Sequence, residues 1–168
     1  MDCVIIKKSH IDGLGAFAGK EFAKGELILE IDYSDVVDDP NHLDPSVKPE
    51  HLETFLDGTV ILMHAPEVYI NHSCEPNSYL RTIGESWCVY AMRAIKKGEE
   101  LTHHYSVSNF QNWNMKCRCG SANCLGIVPG DFFRLPINIQ LQFIPWLDDW
   151  YQEMHRERLA ALIGEQVF

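Results

Sequence analysis

With 168 residues, the chain is long enough for one domain, or for one domain with an appendage. Hydrophobic residues make up 46% of it, which is ample for a buried core. Its 24 acidic and 14 basic residues give a net charge of −10, which argues against a nucleic-acid surface because such surfaces are normally basic. No apolar run approaches the roughly 20 residues of a membrane span, and no secretory signal is visible. We therefore expect a cytoplasmic protein, or a nuclear one in a eukaryote.

Up to residue 105 the predicted elements are short strands separated by glycine and proline turns. "CVIIKKS" predicts a first strand, and glycine turns surround the next short β-like runs, of which "ELILEI" is the clearest. Residues 38–50 contain three prolines and predict a loop. "EHLETFL" fits one or two helical turns, whereas strands are predicted at "TVILMHA", "VYINHS", "SWCVYAMRAI" and the end of "KKGEELTHHYS". The pattern indicates a mainly β domain.

Beyond residue 144 the pattern becomes helical. The run "PWLDDWYQEMHRERLAALIG" starts at Pro145, which suits a first helical turn, and ends at Gly164, which suits a helix stop. Its apolar residues fall near one helical stripe: Leu147, Trp150, Tyr151, Met154 and Leu162. We expect this helix to pack on the β domain. The alternative is that it forms a homodimer contact.

Acidic residues are concentrated between Glu30 and Asp57. This stretch contains nine carboxylates against a single base, Lys48. The pattern fits either a solvated loop or a surface whose negative charge attracts a basic peptide. Composition alone leaves both interpretations open.

Three of the six cysteines lie within eight residues, in "CRCGSANC": Cys117, Cys119 and Cys124. In a cytosolic chain this spacing indicates a metal site rather than disulfides, and a structural zinc ion needs four ligands in a tetrahedron. The candidates for the fourth ligand are Cys3, Cys74 and Cys88. The alternative is three free thiols in a loop. We do not expect His103 and His104 to share an ion, because neighbours on a strand point to opposite faces.

Four motifs follow one another along the chain. They are "GLGAFA" from Gly13, "YINHSCEPN" from Tyr69, "GEELTHHY" from Gly98, and the cysteine-rich "CRCGSANCLG". In this order they resemble the motifs of SET-domain protein-lysine methyltransferases that have a zinc-binding post-SET tail, without a cysteine-rich pre-SET segment. The resemblance covers about residues 4–126 and leaves the C-terminal helix outside.

The resemblance implies a mainly β SET-domain fold of short strands and small sheets, with a zinc-stapled post-SET loop and a C-terminal helix. It also implies a knot-like arrangement in which "YINHSCEPN" is threaded beneath "GEELTHHY", which is rare among folds. Three regions are expected: a SET domain at residues 1–110, a post-SET zinc-binding segment at 111–130 and a helical extension at 131–168.

The resemblance also implies roles for individual residues. Cys74 becomes the fourth ligand of a structural zinc ion, beside the three tail cysteines. Tyr105 and Asn71 are expected at the catalytic centre, and His103 is expected to line the lysine channel. S-adenosylmethionine would be bound by residues from all four motifs: Gly13, Leu14, Gly15, Tyr69, Asn71, His72, Tyr105 and Leu125.

The implied activity is transfer of a methyl group from S-adenosylmethionine to a lysine amine of a basic protein or peptide, with a histone as a candidate substrate. The sequence departs from the family where His103 and His104 stand in place of an aromatic–aspartate pair, and where Val68 stands in place of an arginine. These departures leave an alternative, a SET-like module that binds a basic peptide or the cofactor without turnover. A zinc-stapled interaction domain unrelated to methyl transfer would explain only the tail.

Overall fold

The computed structural model describes residues 2–39, 43–45, 47–48, 51–55 and 57–164. Within these ranges the chain forms eleven strands and three α-helices. The strands are β1 (Val4–Lys8), β2 (Leu14–Ala18), β3 (Leu27–Ile31), β4 (Leu52–Thr54), β5 (Val60–Leu62), β6 (Asn71–His72), β7 (Ser78–Ile83), β8 (Ser86–Ala91), β9 (Thr102–His103), β10 (Phe110–Lys116) and β11 (Ile127–Asp131). The helices are α1 (Ile137–Phe143), α2 (Asp149–Met154) and α3 (Arg156–Gly164), and short 3-10 turns lie at Glu67–Tyr69, Phe132–Arg134 and Ile144–Trp146. None of these helices is long and apolar enough to cross a membrane.

The strands pair into small sheets, which confirms the mainly β prediction. β1 pairs with β2, β4 with β5 and β10 with β11, each antiparallel, and β8 lies between β3 and β7 in a three-stranded antiparallel sheet. The main core is formed by buried apolar side chains of these strands and their connections, including Ala16, Phe22, Ile28, Val89 and Leu101. Full burial of a large apolar side chain contributes roughly 1.5–3 kcal/mol, so this cluster is what holds the sheets together.

The parallel pair β6–β9 joins two segments that are distant in sequence. Asn71 and His72 lie opposite Thr102 and His103. Shortly after β6, the Asn77 side chain accepts a hydrogen bond from the Thr102 N–H at 2.9 Å. These contacts seat "YINHSCEPN" alongside "GEELTHHY". The knot-like threading of the two segments stays a prediction.

The C-terminal region differs from the single helix predicted from Pro145. Pro145 lies in the 3-10 turn Ile144–Trp146, and α2 begins only at Asp149. It ends at Met154 because His155 leaves the helical backbone region, with φ −112° and ψ 21°. Met154, the last residue of α2, is 53% exposed, so its predicted place on the buried stripe was wrong. The sequence pattern also does not indicate α1.

Other residues of the stripe are buried against the same chain. Leu147 and Tyr151 are fully buried. They belong to a second core, which also contains Phe132, Leu135, Phe143 and Leu159. Oδ2 of Asp148 accepts hydrogen bonds from the Thr82 N–H and hydroxyl, both at 2.8 Å, and so ties this region to β7. The C-terminal region thus packs on the β domain as expected, and the homodimer contact stays a prediction.

The helical prediction for "EHLETFL" is wrong at Leu52–Thr54, which form β4. These residues pair with Val60–Leu62, and the Phe55 N–H donates to the Thr59 carbonyl at 2.8 Å. The hairpin gives the backbone the hydrogen-bond partners that an isolated helical turn this short retains poorly. Residues 50 and 56 of this segment lie outside the described residues, as do residues 40–42, 46 and 49 of the predicted loop.

Candidate active site and metal centre

Four cysteine sulfurs meet at one point of the structure. The Sγ atoms of Cys74, Cys117, Cys119 and Cys124 all lie within 4.8 Å of one another, and those of Cys74 and Cys117 are 3.8 Å apart. Four thiolates at about 2.3 Å from a tetrahedral zinc ion stand about 3.8 Å from each other. The donor set and its spacing therefore fit a structural zinc ion. The other two candidates for the fourth ligand, Cys3 and Cys88, are not in this group.

Backbone N–H groups support these sulfurs. The Cys119 N–H lies 3.4 Å from Cys117 Sγ, and the Leu125 N–H lies 3.4 Å from Cys74 Sγ. Burial raises the pKa of Cys74, so without a cation this sulfur stays a thiol. Burial also opposes ionisation of Cys119, but hydrogen bonds outweigh it and lower its pKa to about 6. A bound cation would stabilise all four thiolates.

A second group of possible ligands shares Cys74. Ring nitrogens of His72 and His104 lie within 4.8 Å of its sulfur and of each other, and all three residues are buried. This group has three donors and lacks the fourth that a closed tetrahedral site needs. The centre of the His104 ring is 4.6 Å from that of His72 and 5.0 Å from that of Phe143.

The turn around Gly13 is hydrogen-bonded to the Asn71 side chain. Asn71 Nδ2 lies 3.0 Å from the Leu14 carbonyl, 3.3 Å from the Asp12 carbonyl and 2.9 Å from Glu100 Oε1. Gly13 has a φ of +43°, a conformation that glycine adopts without steric cost. The structure thus places the turn at Gly13, Leu14 and Gly15 next to Asn71, and their binding of a cofactor stays a prediction.

Tyr105 lies directly beside β6. Its hydroxyl donates to the Ile70 carbonyl at 3.1 Å, and its N–H donates to His72 Nδ1 at 3.1 Å. Its ring centre is 4.9 Å from that of His103. Burial raises the pKa of Tyr105 to about 12, so the hydroxyl keeps its proton at neutral pH and remains a hydrogen-bond donor.

Tyr105 and His103 both line a cleft of about 910 Å³. Its walls include aromatic side chains: Tyr33, Phe55, Trp87, Phe110, Trp113 and Trp150. They also include carboxylates: Glu53, Asp57, Glu67, Glu85 and Asp148. No lysine or arginine is among the described residues that line it. Negative charge and aromatic surface suit an extended segment that carries positive side chains.

His103 is a neutral group in this cleft. Burial lowers its pKa to about 3, and its Nδ1 atom is buried without a hydrogen-bond partner in the described part of the chain. The imidazole therefore presents polar, uncharged atoms beside the Tyr105 ring.

Comparison with known proteins places these motifs in a family. Residues 13–106 match the family model described as "SET domain". The chain belongs to the SET-domain family. Residues 1–12 and the whole C-terminal region lie outside the matched range, so the tail cysteines and α1 to α3 are not part of that match.

Several curated relatives share this SET domain. Human histone-lysine N-methyltransferase 2B is 32% identical over 145 residues, a match that covers 73% of this chain and 5% of the relative. The H3 lysine-36 specific histone-lysine N-methyltransferase of Yarrowia lipolytica is 30% identical over 136 residues, covering 70% of this chain and 17% of the relative. The chain thus spans only a small part of these relatives. A solved Plasmodium falciparum structure, described as a candidate histone methyltransferase, is similar with a TM-score of 0.50 and 23% sequence identity. The match covers 62% of this chain and 94% of that one and supports the fold.

Two further residues predicted to bind the cofactor are Tyr69 and Leu125. Tyr69 packs against the main core, with its ring 6.2 Å from that of His51. Leu125 packs beside the cysteine cluster, and its N–H contacts Cys74 Sγ. Of the residues predicted to bind the cofactor, only Tyr105 also lines the acidic cleft.

Sequence reasoning missed Glu100, which organises the glycine turn. Its Oε1 accepts hydrogen bonds from the Ser9 hydroxyl at 2.6 Å and from Asn71 Nδ2 at 2.9 Å. A Cβ at Gly15 would lie 2.4 Å from the same oxygen, so Gly15 has to be glycine for this carboxylate to fit. The available signal was the second glutamate of "GEELTHHY".

Proposed function

We propose that this SET domain transfers a methyl group from S-adenosylmethionine to a lysine amine of a protein substrate. The observation that carries the proposal is the position of Tyr105, which lines the acidic cleft and donates its hydroxyl to the main chain next to Asn71. The names of the relatives, histone-lysine N-methyltransferases, support the same reaction class.

The cofactor would be held by residues that the fold brings close to Asn71 and Cys74: Gly13, Leu14, Gly15, Tyr69, Asn71, His72, Tyr105 and Leu125. When bound, S-adenosylmethionine supplies a methyl group on a positively charged sulfur. Asn71 fixes the glycine turn through its amide nitrogen and offers a carbonyl oxygen to an ammonium group. The Tyr105 hydroxyl donates its one proton to the Ile70 carbonyl, so it would orient the reacting groups through the lone pairs of its oxygen.

The substrate amine has to be neutral when it attacks. A lysine with a pKa of about 10.4 is only about 0.04% neutral at pH 7, which corresponds to a free-energy cost of roughly 4–5 kcal/mol. Aromatic walls lower the pKa of an amine by desolvating it. His103 is not suited to act as the base, because its own pKa is about 3 and the proton would not move to it. The lysine amine would instead lose its proton to solvent before the cleft encloses it, so no side chain has to act as a base.

The zinc ion would be structural. Four thiolates leave no coordination position for water, so it would not take part in the chemistry. Since Cys74 belongs to the SET domain and the other three ligands to the tail, the ion would hold the post-SET segment at residues 111–130 over the cofactor side of Tyr105. On either side of this segment we propose the SET domain at residues 1–110 and the helical extension at residues 131–168.

We infer that the substrate is a basic segment such as a histone tail, which would imply a nuclear role. The cleft carries carboxylates and aromatic rings but no lining lysine or arginine in the described part of the chain. His103 would lie along the lysine channel. Mass spectra of products from wild type and His103→Phe test this role, and identical rates and methyl distributions in the two would contradict it.

A labelled-methyl assay tests the proposed function. The zinc-loaded chain is incubated with core histones and with S-adenosylmethionine labelled in its methyl group. We expect label on lysine, and a loss of about 100-fold or more in Tyr105→Phe, while calorimetry shows that this variant still binds the cofactor. Cofactor binding without transfer to any lysine protein would instead identify a binding module, and no cofactor binding would refute the proposal altogether.

A further inference from the structure

His72 connects the cysteine cluster to Tyr105 through its two ring nitrogens. Its Nδ1 atom lies 3.1 Å from the Tyr105 main-chain nitrogen, and its Nε2 atom lies 3.4 Å from Cys74 Sγ. The side chain is only 2% exposed, so both contacts are shielded from water.

These contacts fix the tautomer of His72. The Tyr105 N–H can donate only to a nitrogen with a free lone pair, so Nδ1 is unprotonated. The single proton of the neutral ring then sits on Nε2, which donates to Cys74 Sγ. His72 cannot also be a metal ligand in this arrangement, because neither nitrogen has a lone pair left.

Cys74 is the junction between the tail and the SET domain. Of the four clustered cysteines it is the one that does not come from the tail segment. Its sulfur receives the Leu125 N–H from the tail side, at 3.4 Å, and faces the His72 ring from the SET side. A metal-bound thiolate accepts N–H hydrogen bonds more strongly than a thiol does, since it carries negative charge.

We propose that His72 is a positioning residue that couples metal loading at the cysteine cluster to the main chain of Tyr105. A zinc ion bound at the cluster would displace the Cys74 thiol proton to solvent. The Cys74 sulfur would then accept the Nε2–H and fix the orientation of the His72 ring, and Nδ1 of that ring accepts the Tyr105 N–H. The inference rests on the zinc site of the proposed function and assigns to His72 a side-chain role that is separate from cofactor contact.

The tautomer is directly measurable in the wild-type protein. Long-range proton–nitrogen NMR spectra of the zinc-loaded, histidine-labelled chain distinguish an Nε2–H from an Nδ1–H imidazole. We expect the Nε2–H form, with the His72 signals assigned by their loss in His72→Gln. An Nδ1–H tautomer in the zinc-loaded protein would overturn the inference.

Two matched variants separate the two contacts. In His72→Gln an amide N–H₂ takes the place of Nε2 and keeps a donor for Cys74, whereas in His72→Asn a carbonyl oxygen takes the place of Nδ1 and keeps an acceptor for Tyr105. We expect His72→Asn to lose zinc to a chelator about 10- to 100-fold more readily than His72→Gln. The Tyr105 amide should exchange its hydrogen faster in His72→Gln than in His72→Asn. Equal metal retention in both variants would contradict the coupling.

The outcomes separate this inference from the proposed function. A chain that binds zinc and methylates lysine but has the Nδ1–H tautomer retains the function and refutes the role of His72. A chain that binds no zinc refutes the metal centre and the coupling together. A chain that holds zinc and shows the Nε2–H tautomer but transfers no methyl group refutes the enzyme function alone.

Discussion

At the scale of single residues, the site depends on polar side chains with several partners each. Asn71 is the best example, because its amide nitrogen contacts two main-chain carbonyls of the glycine turn and Glu100 Oε1. A carboxylate at this position would lose the donor and place two negative charges side by side.

Asn71→Asp should therefore lower the free energy of unfolding by about 2–3 kcal/mol, measured by urea denaturation. The matched control is Asn123→Asp. Asn123 also donates to a carboxylate, Glu75 Oε1 at 2.6 Å, but this pair is exposed, so its loss should cost less than about 0.5 kcal/mol. An equal decrease in the free energy of unfolding in the two variants would contradict a particular stabilising role of the Asn71 hydrogen bonds.

His103 gives the stability a defined pH dependence. The unfolded ring takes up a proton below its ordinary pKa of 6.5, whereas burial keeps the folded ring neutral down to about 3. Between these values the unfolded state binds more protons, so stability falls as the pH falls. The free energy of unfolding of wild type should fall between pH 7.5 and pH 5, and replacing His103 by phenylalanine should make this decrease about 1–2 kcal/mol smaller.

Denaturation curves of wild type and His103→Phe at the two pH values measure this difference. The control variant is His10→Gln, which removes an exposed histidine. A His103→Phe variant that loses as much stability on acidification as wild type would refute a buried, neutral ring.

At the scale of elements, the glycine turn before β2 works because two glycines serve different purposes. Gly13 needs a positive φ and has open space around its Cβ position, whereas a Cβ at Gly15 would meet the Glu100 carboxylate at 2.4 Å. Substitution at the first position tests backbone conformation, and substitution at the second tests packing.

Gly15→Ala should cost about 1–3 kcal/mol in wild type and clearly less in a Glu100→Ala background, because the shorter side chain leaves room. Gly13→Ala should cost about 1–2 kcal/mol in either background. The double-mutant cycle is measured by chemical denaturation. A Gly15 penalty that is unchanged by Glu100→Ala would contradict the clash.

Prediction from sequence succeeded for elements whose signal is local and failed where distant contacts decide. The strand "ELILEI" appears as β3 at Leu27–Ile31 because a short aliphatic run after a glycine turn favours a strand. β4 was missed because its backbone partners come from β5. The helix from Pro145 was predicted too long because nothing local marks the break at His155.

The candidate active site and metal centre show the same difference between local signals and distant contacts. Spacing identified Cys117, Cys119 and Cys124, but only the resemblance selected Cys74 among three candidates, since the fold brings it from a distant segment. Glu100 was missed because its partners, Ser9 and Asn71, are far away along the chain.

At the scale of the whole molecule, the described residues form two larger apolar cores in addition to the small cluster around the cysteines. One is formed by the strands up to Leu101, and the other by the segment from Phe132 to Leu159. The cluster itself has a small apolar neighbourhood around Val128 and Trp113. Its stability should therefore depend on the metal more than that of either core.

Chelation should loosen the residues after Tyr105 and weaken cofactor binding, while the sheet β3–β8–β7 keeps its protection. Hydrogen exchange with and without zinc, followed by mass spectrometry, measures both regions at once. Cys119→Ser should reproduce the effect without a chelator, and Cys3→Ser is the control because Cys3 is exposed and outside the cluster. Uniform unfolding of both regions on chelation, or no change in either, would contradict a structural metal that serves the tail.

The most direct test of the whole account is a crystal structure of the zinc-loaded chain with S-adenosylhomocysteine and a lysine-containing peptide. The account predicts zinc on Cys74 and the three tail cysteines, the cofactor sulfur facing the Tyr105 hydroxyl, and the lysine entering from the acidic cleft beside His103. A cofactor or peptide bound away from Tyr105, or a metal that does not include Cys74, would contradict it.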